Sequence, residues 1–147
     1  MFKHILVPTD GSALSLRAAK NAVRFAKTHG ARITAFYAAP EYHPDIAGDY
    51  MPVNFVPLSV FESQIKKTAD KYLDRIKKLA KVAGVRCSGA YASSDSPHEA
   101  IIKAAKAGKC DLIFMASHGR RGIAGMLIGS ETNKVLTHCK LPVLVYR

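Results

Sequence analysis

Five short apolar runs punctuate the chain: His4 to Val7, Ile33 to Ala38, Val85 to Tyr91, Leu112 to Ala116 and Val143 to Tyr146. Between them, hydrophobic residues recur at helical spacing. Leu14, Ala18, Ala22 and Ala26 share one face of a helix whose surface carries Arg17, Lys20, Arg24 and Lys27. Phe61, Ile65, Tyr72, Ile76, Leu79 and Ala83 form a longer stripe of the same period. Ser96-Pro97-His98-Glu99 predicts a helix start, with a capping serine, proline at the first helical position and glutamate at the third. Gly30, Gly84 and Gly108 stand where helices should stop.

The pattern is β-α-β-α-β-α-β-α-β. Strands alternating with helices require parallel crossovers, so the expected fold class is α/β with helices on both faces of an open five-stranded parallel sheet. The first and fourth runs are the most uniformly apolar and belong in the middle. The third alternates weakly, and the fifth opens with Leu141-Pro142, where proline cannot donate into a ladder, so both suit edges. The implied order is 3-2-1-4-5. Connections then leave the first and fourth strands in opposite directions and open a crevice at their carboxyl ends, where ligands of such sheets bind.

Composition narrows the class. The 147 residues suffice for a single domain, 1–147, with a proper core. Hydrophobic residues make up 48% and charged residues 22%, which excludes disordered and low-complexity classes. Lys plus Arg number 22 against 11 Asp plus Glu, a net charge of +11 that favours an anionic partner. Cys87, Cys110 and Cys139 contain no C-x-x-C pair and read as reduced thiols, which places the chain in the cytoplasm. No apolar run approaches the roughly 20 residues of a membrane span, and Met1 to Pro8 is too short for a signal peptide. No membrane partner is expected.

Two segments meet at the expected crevice. Val7-Pro8-Thr9-Asp10-Gly11-Ser12 follows the first strand, and Ala116 to Ser130 links the fourth strand to the last helix. The second holds four of the ten glycines: Gly119, Gly122, Gly125 and Gly129. Its free amides, the helix opening at Gly129-Ser130, and Arg120 with Arg121 suit phosphate; a merely flexible connection is the plainer reading. Asp10 repels phosphate and is better placed on ribose hydroxyls, a base amino group or a divalent metal, or as the cap of the first helix. His118 reaches a phosphate, acts in proton transfer or orients its loop. His4, His29, His43, His98 and His138 show no metal-ligand spacing. Lys66, Lys67, Lys77 and Lys78 read as a solvated face, and without aromatic interleaving nucleic acid is not expected as a partner. Pro40 to Pro57, with Glu41, Asp45 and Asp49 but no Lys or Arg, reads as a long excursion beside the crevice, where Met51, Phe55 and Phe61 cover a ligand or pack at a helix entrance.

At this point the chain resembles the universal stress protein family over essentially its whole length. The resemblance rests on the Ile5-Leu6-Val7-Pro8-Thr9-Asp10-Gly11-Ser12 opening, the Leu141 to Val145 ending and the family pattern G-x2-G-x9-G-[S/T]. Here the pattern reads Ala116, Gly119, Gly129, Ser130, with alanine at its first glycine. The resemblance implies a Rossmann-like, adenine nucleotide alpha hydrolase-like fold and ATP as ligand, with or without Mg2+ or Mn2+. It places Pro8, Thr9 and Asp10 beside adenine and ribose, Ala38 on the base, and Met115 and Ala116 along the nucleoside. It places Gly119, Arg120, Gly129, Ser130 and Glu131 around the phosphates, and it implies a homodimer through the C-terminal strand, 142–147. The expected function is an ATP-binding, dimeric stress-response regulator or chaperone-like factor with slow hydrolysis at most. The alternative is a protein-interaction module of the same fold that binds no nucleotide.

Overall fold

The two runs placed in the middle of the sheet are buried at every position, while the other ends of the ladder are not. In a computed structural model, which describes residues 1–44, 55–120 and 128–147, the elements are β1 (His4–Pro8), α1 (Ala13–His29), β2 (Arg32–Ala39), α2 (Leu58–Ala83) and β3 (Cys87–Ser93), followed by α3 (Pro97–Ala107), β4 (Leu112–Ala116), α4 (Ser130–His138) and β5 (Val143–Tyr146). All pairings are parallel and the order is β3-β2-β1-β4-β5, as the apolar pattern required. β1 and β4 are fully buried, β3 is almost wholly exposed and β5 is half-buried.

Alternation along the central strands sends side chains to two layers. Ile5, Val7, Leu112 and Phe114 join Leu14, Ala18, Ala22 and Ala26 of α1 and Ala69, Leu73 and Ile76 of α2 in one buried cluster. Leu6, Phe36, Ile113 and Met115 form the other with Ala100, Ile101 and Ala105 of α3 and Val135 of α4. Cys110 is buried in this second cluster, and burial pushes its thiol up to about 11, which makes it a packing residue. Cys87 and Cys139 are also free. On the outer face of α2, Lys66 pairs with Asp70 at 2.9 Å and Lys77 with Asp74 at 3.4 Å, while Lys67 and Lys78 are exposed, as a solvated face requires.

Two local expectations need correction. The third strand runs Cys87–Ser93 rather than Val85 to Tyr91. Gly84 ends α2 in the left-handed conformation (φ 73°), and the Val85 amide turns back to the Ala80 carbonyl at 2.8 Å, so Val85 serves the helix end rather than the ladder. At the start of α3, Ser96 occupies the capping position but its hydroxyl caps nothing. The Glu131 carboxylate of α4 performs that task instead, accepting from the His98 amide at 2.9 Å.

His4, at the head of β1, carries a pH dependence. Its Nε2 bonds Thr34 Oγ1 at 2.7 Å, while the buried Nδ1 has no partner among the described residues. Burial first, and then the Arg32 charge, hold the imidazole below its ordinary value. The unfolded chain therefore takes up the proton first. Stability present above about pH 6.5 is lost as the pH falls toward the lowered folded value. Thermal melts between pH 7.5 and 5 should show the loss in the parent protein and a flatter profile in His4→Leu. Thr34 keeps its Ser88 hydroxyl partner at 3.1 Å in that variant. Parallel profiles for the two proteins would refute the assignment to His4.

Candidate functional site

The crevice is built where β1 and β4 end side by side. Pro8 is buried at the end of β1, and the Thr9 amide continues the pairing with the Phe36 carbonyl at 2.8 Å. The Thr9 hydroxyl accepts from the Gly11 amide and shares a hydrogen bond with the Ser15 hydroxyl, both at 3.1 Å, which fixes the turn into α1. Ser12, not Asp10, caps that helix, accepting from the Ser15 amide at 3.1 Å. Asp10 is thereby released for another task.

Its carboxylate bridges the two loops. One oxygen accepts from the Ser12 amide at 3.0 Å and the other from the Arg120 amide at 2.7 Å. Burial pushes the Asp10 pKa up, but hydrogen bonds from the Ser12 hydroxyl and amide, the Arg120 amide and the Ser15 hydroxyl outweigh it. The group is held below its ordinary value and stays charged at neutral pH. The approach is close because residue 119 is glycine: a Cβ there would lie 2.5 Å from the Asp10 carboxylate oxygen.

Arg120 turns its guanidinium onto Tyr72 of α2. It donates to the phenol oxygen, with the guanidinium carbon 5.3 Å from the ring centroid. Tyr72 in turn meets Tyr37 edge-on at 5.1 Å. Its ring lies over Gly11, which is left-handed (φ 76°) and has no room for a side chain. The apolar stripe of α2 included Tyr72 but gave no sign that its phenol would reach the crevice. Only the packing of α2 beside α1 brings it there.

On the β4 side, Met115 is buried in the layer under α3 and α4 and Ala116 in the layer under α1 and α2. The methyl group that replaces the first glycine of the pattern is thus packed in the core. Ala38, half-buried at the end of β2, packs against the α3 and α4 layer. The Ser117 amide extends the sheet to the Tyr146 carbonyl at 2.7 Å. The Ser117 hydroxyl and the His118 ring share a hydrogen bond at 3.1 Å, but Ser117 is only 1% exposed, so the pair orients the loop. The loop closes where the Gly129 amide donates to the Ser117 carbonyl at 2.7 Å and the buried Thr132 hydroxyl to the Ala116 carbonyl at 3.0 Å. Nothing in the sequence marks Ser117 or Thr132. Their hydroxyls are ordinary there, and only the closure gives them a role.

Gly129 sits at the N-cap of α4 without a side chain to cap it. The first-turn amides of Ser130, Glu131 and Thr132 have no intrahelical acceptor, and the positive end of the helix dipole lies there. A Cβ at Gly129 would come within 3.0 Å of the His118 backbone, so this glycine too is set by close approach. The Glu131 side chain turns toward α3, bonded to the His98 amide at 2.9 Å, the His98 ring at 3.1 Å and Lys134 at 3.0 Å. Burial raises its pKa, but the bonds from Lys134 and His98 outweigh burial and leave it low. Only the backbone of Glu131 is available to the crevice.

Phe61 packs against Tyr42 at 5.2 Å and Phe55 is half exposed, the helix-entrance arrangement. Arg121, Gly122, Gly125, Asp45, Asp49 and Met51 lie outside the described residues. Among the described residues no helix is long and apolar enough to cross a membrane.

The crevice therefore offers one fixed carboxylate, three glycines where a side chain would crowd a neighbour (Gly11, Gly119 and Gly129), and a helix start that, among the described residues, no side chain caps. Comparison with known proteins gives it a context. A universal stress protein from Thermus aquaticus is 33% identical over 147 residues, covering the whole of both chains. The solved structure of MJ0577 from Methanocaldococcus jannaschii superposes with a TM-score of 0.81 at 26% identity, over 99% of this chain and 95% of that one. A universal stress protein solved in complex with cAMP shares the fold, with a TM-score of 0.74 at 24% identity over 99% of this chain and 97% of that one. The family model for the universal stress proteins matches residues 1–147, the crevice segments included, and the chain belongs to the universal stress protein family.

Proposed function

We propose that this protein binds adenine nucleotide, ATP foremost, in the β1–β4 crevice. It would act in the cytoplasm as a dimeric, nucleotide-dependent stress-response regulator or chaperone-like factor. The observation that carries the reading is the close meeting of the two loops at Gly119 and Gly129, beside the start of α4. A Cβ at Gly119 would collide with Asp10 at 2.5 Å and one at Gly129 would crowd His118 at 3.0 Å, so both glycines let backbone approach closely here. They flank the start of α4, which no side chain caps among the described residues and which suits an anion. That a relative of the same fold is solved with cAMP supports the capacity of this fold for an adenine nucleotide.

In this reading Pro8 and Thr9 border the base and ribose, Ala38 contacts the base, and Met115 and Ala116 line the nucleoside. Asp10, held ionised, takes ribose hydroxyls or the Mg2+ or Mn2+ that accompanies the phosphates. Gly119, Gly129, Ser130 and the Glu131 amide receive phosphate oxygens, and Arg120 supplies a guanidinium. No nucleophile stands beside a general base with access to solvent among these residues, so hydrolysis is slow at most. The homodimer forms through the edge strand at 142–147, whose half-buried Val143, Leu144 and Val145 benefit from cover.

One observation favours a second reading, an interaction module that needs no nucleotide. Asp10 already occupies the Arg120 amide at 2.7 Å, so the crevice is bridged without a phosphate. Isothermal titration with ATP and Mg2+ separates the two. Saturable binding of one nucleotide per chain below millimolar concentration is expected. No heat of binding at millimolar ATP would overturn the proposal in favour of the module.

A further inference from the structure

A second site lies on the same rim of the sheet but outside the crevice, beyond the ends of β2 and β3. We propose that Glu41, His43 and Asp95 form a site for a divalent transition-metal cation of the zinc type. The chain prepares it electrostatically. Residues 33–65 and 87–102 contain no Lys or Arg, although the chain has 22 of them. The two segments that supply the ligands thus bring no cation to compete with a metal.

The ladder then brings the ligands together. β2 and β3 pair as far as Ala39 with Ser93, and the Ser94 amide continues to the Ala39 carbonyl at 2.8 Å. Two residues further on, Glu41 and Asp95 are neighbours, and the Glu41 amide points to Asp95 Oδ1 at 3.4 Å. Beyond the strand end, Glu41 and His43 both turn their ligand atoms toward Asp95 while Tyr42 turns away to Val56. Tyr42 is pinned there, its hydroxyl donating to the Val56 carbonyl at 2.6 Å and its ring against Phe61 at 5.2 Å. Asp95 is set in a tight turn in which the Ser94 hydroxyl accepts from the Ser96 amide at 3.1 Å and donates to the Ser96 carbonyl at 3.2 Å.

The result is three ligand atoms, one each from Glu41, His43 and Asp95, all within 4.8 Å of one another. His43 Nε2 lies 2.5 Å from Asp95 Oδ2, a contact that a proton bridges and that a metal would replace. A histidine–aspartate ion pair alone accounts poorly for the cluster. Both side chains are more than half exposed, where such a pair contributes little, and it leaves the convergence of Glu41 unexplained. One imidazole with two carboxylates suits zinc-type cations better than Mg2+, and the exposure leaves positions for water.

The test is titration of the nucleotide-free full chain with ZnCl2 near neutral pH, followed by heat and by the rise in Tm that ligand binding produces. One equivalent of Zn2+ should bind. His43→Ala and Asp95→Asn should each weaken binding by at least about tenfold, the scale seen when metal sites lose a supporting group. Because the three side chains are exposed, the metal-free Tm of these variants should match that of the parent. His138→Ala, a histidine elsewhere on the surface, should bind Zn2+ as the parent does. Absence of saturable Zn2+ uptake, or uptake and Tm shifts that survive both His43→Ala and Asp95→Asn, would overturn the proposal. Neither result depends on whether ATP binds.

Discussion

Gly11→Ala is expected to destabilise the protein by about 2–5 kcal/mol, the sum of two separable costs. Gly11 is left-handed, at φ 76°, where a side chain costs about 1–2 kcal/mol. A Cβ there would also collide with the Tyr72 ring. That ring cannot swing aside cheaply: it is 8% exposed, meets Tyr37 edge-on and accepts a hydrogen bond from Arg120. Overpacking of this kind costs about 1–3 kcal/mol. Thermal unfolding should record the total as a fall in Tm on the order of 10 °C. Gly11→Asn separates the terms, since asparagine tolerates the left-handed region but keeps the clash. If Gly11→Ala unfolded within about 1 °C of the parent, the placement of Tyr72 over the turn would be wrong.

Tyr72 also shows where sequence reasoning stops. Its place in the α2 stripe followed from period alone, and so did its burial. Nothing local said that the phenol would reach across to Arg120, 48 residues on. The architecture was far more readable. Uniform apolarity of β1 and β4 put them in the middle of the sheet, Pro142 and weak alternation put β5 and β3 at its edges, and the order β3-β2-β1-β4-β5 followed. Boundaries were less readable because one residue can serve two elements. Val85 looks like strand but closes a helix, and Ser96 looks like a cap while Glu131 does the capping from another helix.

Asp10 and the Glu41–His43–Asp95 cluster mark the same divide at the chemistry. The sequence left Asp10 as cap or ligand, since both use a carboxylate after a strand. Ser12 took the cap, and a contact spanning 110 residues decided what Asp10 touches. The histidines had no metal-ligand spacing because His43 and Asp95 are 52 residues apart and meet only through the register of β2 with β3. Glycine spacing was legible for a different reason. Close approach demands glycine whatever the partner, so Gly119 and Gly129 mark tight places in the chain, without saying that Asp10 and His118 are what approaches.

The substitution that bears most directly on the proposed activity is Gly119→Val. Its Cβ would lie 2.5 Å from the Asp10 carboxylate oxygen that accepts from the Arg120 amide at 2.7 Å. The clash is relieved by turning the Asp10 carboxylate aside or by parting the two loops. Either breaks a charge-assisted hydrogen bond and, in the proposed site, shifts the Gly119 backbone and the Arg120 guanidinium away from the phosphate path. Losing one or two such bonds to a charged ligand is worth about 3 kcal/mol, or on the order of a hundredfold in ATP affinity. Gly119 is exposed and belongs to neither buried cluster, so the variant should still unfold cooperatively, with a Tm lowered by several degrees (~5 °C) through loss of the Asp10–Arg120 bond. Gly129→Val should give the same binding defect by a different route, since its Cβ would meet the His118 backbone at 3.0 Å. Titration with ATP beside thermal melts reads both quantities. Folded Gly119→Val and Gly129→Val proteins that hold ATP within about threefold of the parent would show that the nucleotide, if bound, lies elsewhere.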